Sequence, residues 1–183
     1  MPEPERDRAA EQSDASRGGT GAPPAPSAPN RAPADLTRSY EGAGVRVLWF
    51  AGRCIHSAAC IRAAPAVFDP RRRPWIDLGA GDASAIVAAV ERCPTGALHV
   101  EALDGTPLEQ EPTTVHIQAV RDGPYYVHGL VEITDDEGGV FRRDTRVALC
   151  RCGESKHLPL CDNTHRSIGF RTGPTGAKPG VGG

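Results

Sequence analysis

The chain has 183 residues, with 21 Lys and Arg against 23 Asp and Glu for a formal charge of −2 at pH 7, and only 5% aromatic residues beside 21 Gly and 17 Pro. Mixed charge of this kind argues against a nucleic-acid or phospholipid surface, and so few large apolar residues leave room only for small cores, which commonly need a staple such as a metal or cluster. No stretch reaches the ~20 apolar residues of a membrane-crossing helix. The N-terminal "MPEPERDRAAEQSDASRGG" lacks the apolar run of a secretory signal and carries too many acids (Glu3, Glu5, Asp7, Glu11) for a mitochondrial presequence. The expectation is a soluble, cytoplasmic protein, where six cysteines act as metal ligands or catalysts rather than as a disulfide frame.

Residues 1–38, ending in "APPAPSAPNRAPAD" and the residues just after it, bury too little apolar surface to offset ordering entropy and read as a disordered tail. "VRVLWF" follows as a short apolar strand, and "SAACIRAA" as a helical turn stopped by Pro65. "RPWIDL" reads as a second strand. "DASAIVAAVERC" is a helix with Asp82 placed as its N-cap, and "ALHVEAL" closes a β-α-β-α-β block. A second, β-rich block then runs through "TTVHIQAV", "YYVHGLVEI" and "VFRRDTRVAL", separated by the turn formers "RDGP" and "TDDEGG". It leads directly into Cys150. The closing "RTGPTGAKPGVGG" reads as a flexible tail from residue 173. The fold class is α+β: one small mixed module over 40–104, then a small β-rich module over 112–172.

"CRCGESKHLPLCDNTH" places Cys150 and Cys152 on one extended stretch, and brings back Cys161 with His165 four positions after it. Thiolates and an imidazole suit zinc or iron–sulfur. Zinc knuckles favour C-x2-C spacings, and the tight C-x-C with C-x3-H departs from them.

This stretch resembles the CDGSH (NEET-type) signature, and the likeness extends over roughly residues 113–171. It implies a 2Fe–2S cluster with Cys150 and Cys152 on one iron, Cys161 and His165 on the other, and Asp162 capping the helix that begins near His165. Ser155 and Pro159 fall in register. Asn163 stands where the motif has glycine, and Asn tolerates left-handed backbone better than other residues with a Cβ. His157, Leu158 and Leu160 replace more usual residues on the loop. With three thiolates and a neutral imidazole the oxidised site carries about −1 and the reduced site about −2, and Arg151 and Lys156 either offset that charge or are ordinary solvated surface cations. The imidazole nitrogen left free can take up a proton.

In the first block, "CIHSAAC" and the later "CPTGAL" supply Cys54, Cys60 and Cys93. The pattern resembles divergent single-cluster ferredoxins over about residues 43–101, with Ser57 where the middle cysteine of C-x2-C-x2-C would stand. It implies a cluster of 3Fe–4S or 4Fe–4S type, the latter needing a fourth ligand from His56, Ser57 or water. Arg71, Arg72 and Arg73 read as a solvated loop, and His99, His116 and His128 as packing or surface residues. No nucleophile–base pair, phosphate loop or dinucleotide fingerprint stands out, so no catalytic residue is assigned and the chain is not expected to be an enzyme.

The expectation is an iron–sulfur electron carrier with two clusters, serving a redox partner protein and able to pass electrons between its modules if "DGTPLEQEP" keeps them docked. Cluster storage, transfer to an apo-acceptor or redox sensing is the alternative. The resemblance also allows a homodimer paired through the strands.

Overall fold

The structure is a computed structural model that describes residues 35–173. The expected tails lie outside those residues except at their inner edges, where the first tail ends sooner than the composition suggested. Asp35 grips the Arg53 guanidinium through two contacts of 2.6 and 2.7 Å, and a strand begins at Arg38.

The first module is a three-stranded antiparallel sheet in the order β1 (Arg38–Gly42), β2 (Val45–Trp49), β3 (Leu98–Ala102), with helices α1 (Ala59–Ala63) and α2 (Ala83–Glu91) against one face. In β2 the alternation puts Val45 and Val47 into a core completed by Phe68, Ile76, Ile86, Val90, Leu98 and Val100. Asp82 begins α2 as expected, accepting the Ala85 N–H at 2.9 Å and the Ser84 hydroxyl at 2.6 Å.

Two expectations fail here. "RPWIDL" is not a strand: it makes a single bridge, Phe68 to Ile76, and then tightens into a 3-10 turn at Leu78–Ala80 whose entry is held by the Asp77 carboxylate on the Gly79 N–H. Strand β1 was not foreseen, because "RSYEG" is an edge strand with mostly exposed side chains and owes its form to pairing with β2. The order is therefore β-β-α-α-β.

The second module is the expected meander, β4 (His116–Ala119), β5 (Tyr125–Thr134) and β6 (Val140–Leu149), hydrogen-bonded in that order. Its register slips between His128 and Val131 at Gly129, where φ is +151° and a Cβ would lie 2.9 Å from Val115.

The modules are docked. In β3, Leu98, His99 and Val100 are all buried, so both faces of the sheet are covered. Leu98 and Val100 point into the helical core, while His99 faces β6 across the module boundary, with its Nε2 3.4 Å from Asp144. The connection after β3 doubles back along it: Leu108 N–H donates to the Val100 carbonyl at 3.1 Å, and the Glu109 carboxylate lies 2.9 Å from His99 Nδ1.

Candidate metal centres

Cys150 follows directly on β6, and the loop beyond it is pinned to that strand's end. Cys150 N–H donates to the Pro159 carbonyl and Cys161 N–H to the Ala148 carbonyl, each at 2.8 Å, with a bridge between Leu149 and Leu160. Ser155 donates its hydroxyl to the Leu160 carbonyl at 2.7 Å, closing the loop from inside. The chain then turns through Asn163 at φ +78°, so asparagine does take the left-handed position, and enters the short helix α3 (Thr164–Ser167).

The cap differs in detail from the expectation: Asn163 is the N-cap residue, and Asp162, one position earlier, ties the loop together. Its carboxylate accepts the Thr164 N–H at 2.9 Å and the Lys156 N–H at 3.0 Å, and these bonds hold its pKa well below the usual carboxylate range.

The four expected ligands come as two pairs. Cys150 Sγ lies 3.7 Å from Cys152 Sγ, and Cys161 Sγ lies 3.5 Å from His165 Nδ1. Among the described residues no three His, Cys, Asp or Glu side chains converge as the ligands of a single metal ion would. Two pairs suit a two-iron core, which takes two protein ligands at each iron.

Burial raises the Cys150 thiol pKa, but N–H groups including those of Ser155 and Gly153 outweigh it and leave the thiol lowered. Cys161 is raised, chiefly by burial, although the Asn163 N–H points at its sulfur at 3.4 Å. In His165 burial, helped by Arg166 and opposed by Asp162, lowers the ring pKa and favours the neutral form a ligand must have. Arg151 is committed elsewhere, donating to the Val120 carbonyl at 3.1 Å and lying over the Tyr125 ring. Lys156 is exposed.

In the first module Cys54 and Cys60 line a largely apolar cavity of about 760 Å³ walled by Tyr40, Trp49, Ile61 and Trp75, and both pack against the core cluster that includes buried Cys93. Burial pushes Cys60 to about 11, with the Cys93 charge adding to it, and raises Cys54 as well. The indole N–H groups of Trp49 and Trp75 are buried and without a partner. Thiols on a largely apolar cavity that Arg38 and Arg73 also line fit an anionic sulfide cluster, which takes thiolate ligands and is offset by nearby positive charge. His56 stands exposed on the cavity rim, and Ser57 Oγ accepts the Ala59 N–H at 3.4 Å. Arg72 is no idle loop cation: it donates to the carbonyls of Ala66 and Val67 at 2.7 and 3.0 Å.

Sequence reasoning missed a buried ionic network between the modules. The Asp144 carboxylate accepts from Arg53 at 3.1 Å and Arg142 at 2.8 Å. Arg146 donates to the Leu98 carbonyl at 2.9 Å and closely to the Val90 carbonyl and Glu109. His99, expected to be a packing or surface residue, is buried within this network at 1% exposure. The available signal was the alternation of Arg142, Asp144 and Arg146, three charges on one face of a strand.

A small α+β module carrying Cys54, Cys60 and Cys93, followed by a β-sheet that presents paired ligands at its end, defines a two-module iron–sulfur-binding protein. A family model described as a divergent 4Fe-4S mono-cluster matches residues 40–102, and one described as an iron-binding zinc finger of CDGSH type matches residues 122–166. The uncharacterized protein YjdI of Escherichia coli (strain K12) is 34% identical over 61 residues, which cover 33% of this chain and 80% of YjdI. YjdI of Escherichia coli O157:H7 matches to the same extent. YjdI is long enough for one of the two modules and not for both. The chain belongs to this iron–sulfur family, with the divergent mono-cluster domain first and the CDGSH domain second. Among the described residues no helix is long and apolar enough to cross a membrane.

Proposed function

We propose that the chain is a one-electron carrier rather than an enzyme. Cys150, Cys152, Cys161 and His165 would hold a 2Fe–2S cluster, and Cys54, Cys60 and Cys93 a 3Fe–4S or 4Fe–4S cluster. The observation that carries this reading is the pairing of Cys150 with Cys152 and of Cys161 with His165 at the end of β6. Clusters of these types supply reversible one-electron chemistry over a wide range of potential.

The chain's own residues do the rest. The Asp162 carboxylate braces the loop from both sides, and the Asn163 N–H sits against the Cys161 sulfur. His165 turns Nδ1 toward Cys161, which leaves Nε2 as the atom able to hold a proton. Trp49 and Trp75 wall the first site with apolar surface, which limits water and the reorganisation that a charge change would cause.

The test is purification without oxygen, with iron, zinc and acid-labile sulfide measured and EPR recorded oxidised and reduced. Iron and sulfide in near-equal amounts, with the 2Fe–2S signal appearing only on reduction, are expected. Folded, colourless, zinc-loaded protein would overturn the reading.

One observation favours a second reading. Cys150, Cys152 and Cys161 are all partly exposed, so the site is open enough for an apo-acceptor protein to reach. Passage of cluster to an apo-acceptor faster than one-electron exchange with a redox partner would select storage or transfer over electron carriage.

A further inference from the structure

The turn that carries Cys93 belongs to the first module but is held by the second. Residues 93–96 are all buried. Arg142 of β6 donates to the Thr95 carbonyl at 2.7 Å, while Thr95 Oγ1 lies 3.6 Å from Cys93 Sγ. Gly96 has φ +62°, and a Cβ there would lie 2.3 Å from the Asp144 carboxylate, so only glycine lets this turn and β6 approach so closely. The Val90 carbonyl accepts the Cys93 N–H at 2.9 Å and also takes the Arg146 guanidinium.

Arg146 and Ala148 then sit two residues apart on the same face of β6, about 7 Å along the strand, and the Ala148 carbonyl accepts the Cys161 N–H. From Arg146 to Cys150 is four residues of nearly extended chain, about 13 Å. The backbone around Cys93 is therefore joined to that of Cys161 by two hydrogen bonds and one short run of strand.

Building on the carrier reading above, we propose that β6 couples the two cysteine sites: Arg142, Asp144 and Arg146 clamp the Cys93 turn, and the strand beneath them brings the sites close enough for a single electron to pass internally. In that step one site loses an electron and the other gains it, with no bond made or broken. The first electron comes from an external one-electron reductant, a partner protein or dithionite. Tyr126 of β5 pairs with Ala148, and its phenol lies within electrostatic reach of both Cys161 and Cys93. Arg142 and Arg146 are positioning residues here, since neither is a ligand.

The experiment is relaxation-resolved EPR on the full chain, purified without oxygen and poised with dithionite and mediators. The relaxation of the CDGSH-site signal is compared with the other site oxidised and then reduced, two states that differ in spin for either cluster type. Relaxation several-fold faster with the higher-spin state is expected. Two normal signals with identical relaxation in both states would overturn the proposal while leaving the carrier reading intact. Absence of the signals themselves would instead overturn the carrier reading.

Arg142→Ala tests the clamp. It should shift the spectrum and midpoint of the Cys93 site and leave the CDGSH signal in place, with Arg142→Lys restoring part of the shift. An unshifted Cys93 site in folded Arg142→Ala protein would refute the clamp. If Arg142→Ala does not fold, the same comparison is made on Arg142→Lys, and the relaxation measurement on the unaltered chain stands by itself.

Discussion

Asp144 is the residue on which the docking of the modules turns. Its side chain is 1% exposed and accepts from Arg53, itself 5% exposed, and from Arg142 at 9%. Asp144→Asn keeps the size and removes the charge, leaving Arg142 with the Thr95 carbonyl and Arg53 with Asp35. Breaking one partner out of a buried ion pair costs about 3–5 kcal/mol, because the remaining charge stays desolvated. That is a large share of the 5–15 kcal/mol typical of a whole domain, and at this size it lowers Tm by roughly 10 °C.

Urea unfolding without oxygen, followed by the fluorescence of Trp49 and Trp75, reads the first module directly, with Asp136→Asn on an exposed turn as control. The difference between wild type and variant should also depend on pH. Burial alone would raise the Asp144 pKa, but hydrogen bonds and charge from His99 and Arg142 overcome it and hold the carboxyl far below its ordinary value. A group depressed on folding contributes stability above its unfolded pKa of about 3.9 and loses it as pH falls toward the folded value. Wild type should therefore exceed the variant at pH 7 and converge on it below about pH 4. A variant within about 1 kcal/mol of wild type at pH 7, or a gap that widens in acid, would refute the reasoning.

In chelator-stripped protein at pH 8, iodoacetamide followed by mass spectrometry should label Cys150 well before Cys60. Cys150 is lowered by the N–H groups around it, whereas Cys60 near 11 is about one part in a thousand thiolate; the reverse order would contradict the site electrostatics. At the cluster proposed for Cys150, Cys152, Cys161 and His165, reduction would add negative charge beside the imidazole nitrogen of His165 that is left free. The midpoint potential should fall as pH rises through the pKa of the oxidised site, and His165→Cys should lower it and flatten the slope. Protein-film voltammetry from pH 6 to 8 checks both, and a flat response in the unaltered protein would remove His165 from the proton chemistry.

Much of this molecule was legible in its sequence because the signals were local. Asp82 before an alanine-rich run, Asn163 at a left-handed turn, and the strands flanking "RDGP" and "TDDEGG" depend on residues within a few positions of one another. The spacing of Cys150, Cys152, Cys161 and His165 is equally local, since all four fall within sixteen residues. The edge strand β1 was not legible, because its form comes from pairing with β2, nor was the loop at "RPWIDL", where apolar residues serve one bridge and the core rather than a ladder.

Only the tertiary structure decided how the two modules meet. Burying any one of Arg53, His99, Glu109, Arg142, Asp144 and Arg146 alone would be costly. They become stable inside only when the side chains of β6 reach the first module and each charge meets its partner. The alternation of Arg142, Asp144 and Arg146 marks one face of β6, but their partners Arg53, Val90, Thr95 and Leu98 lie dozens of positions away, and no sequence pattern links the two.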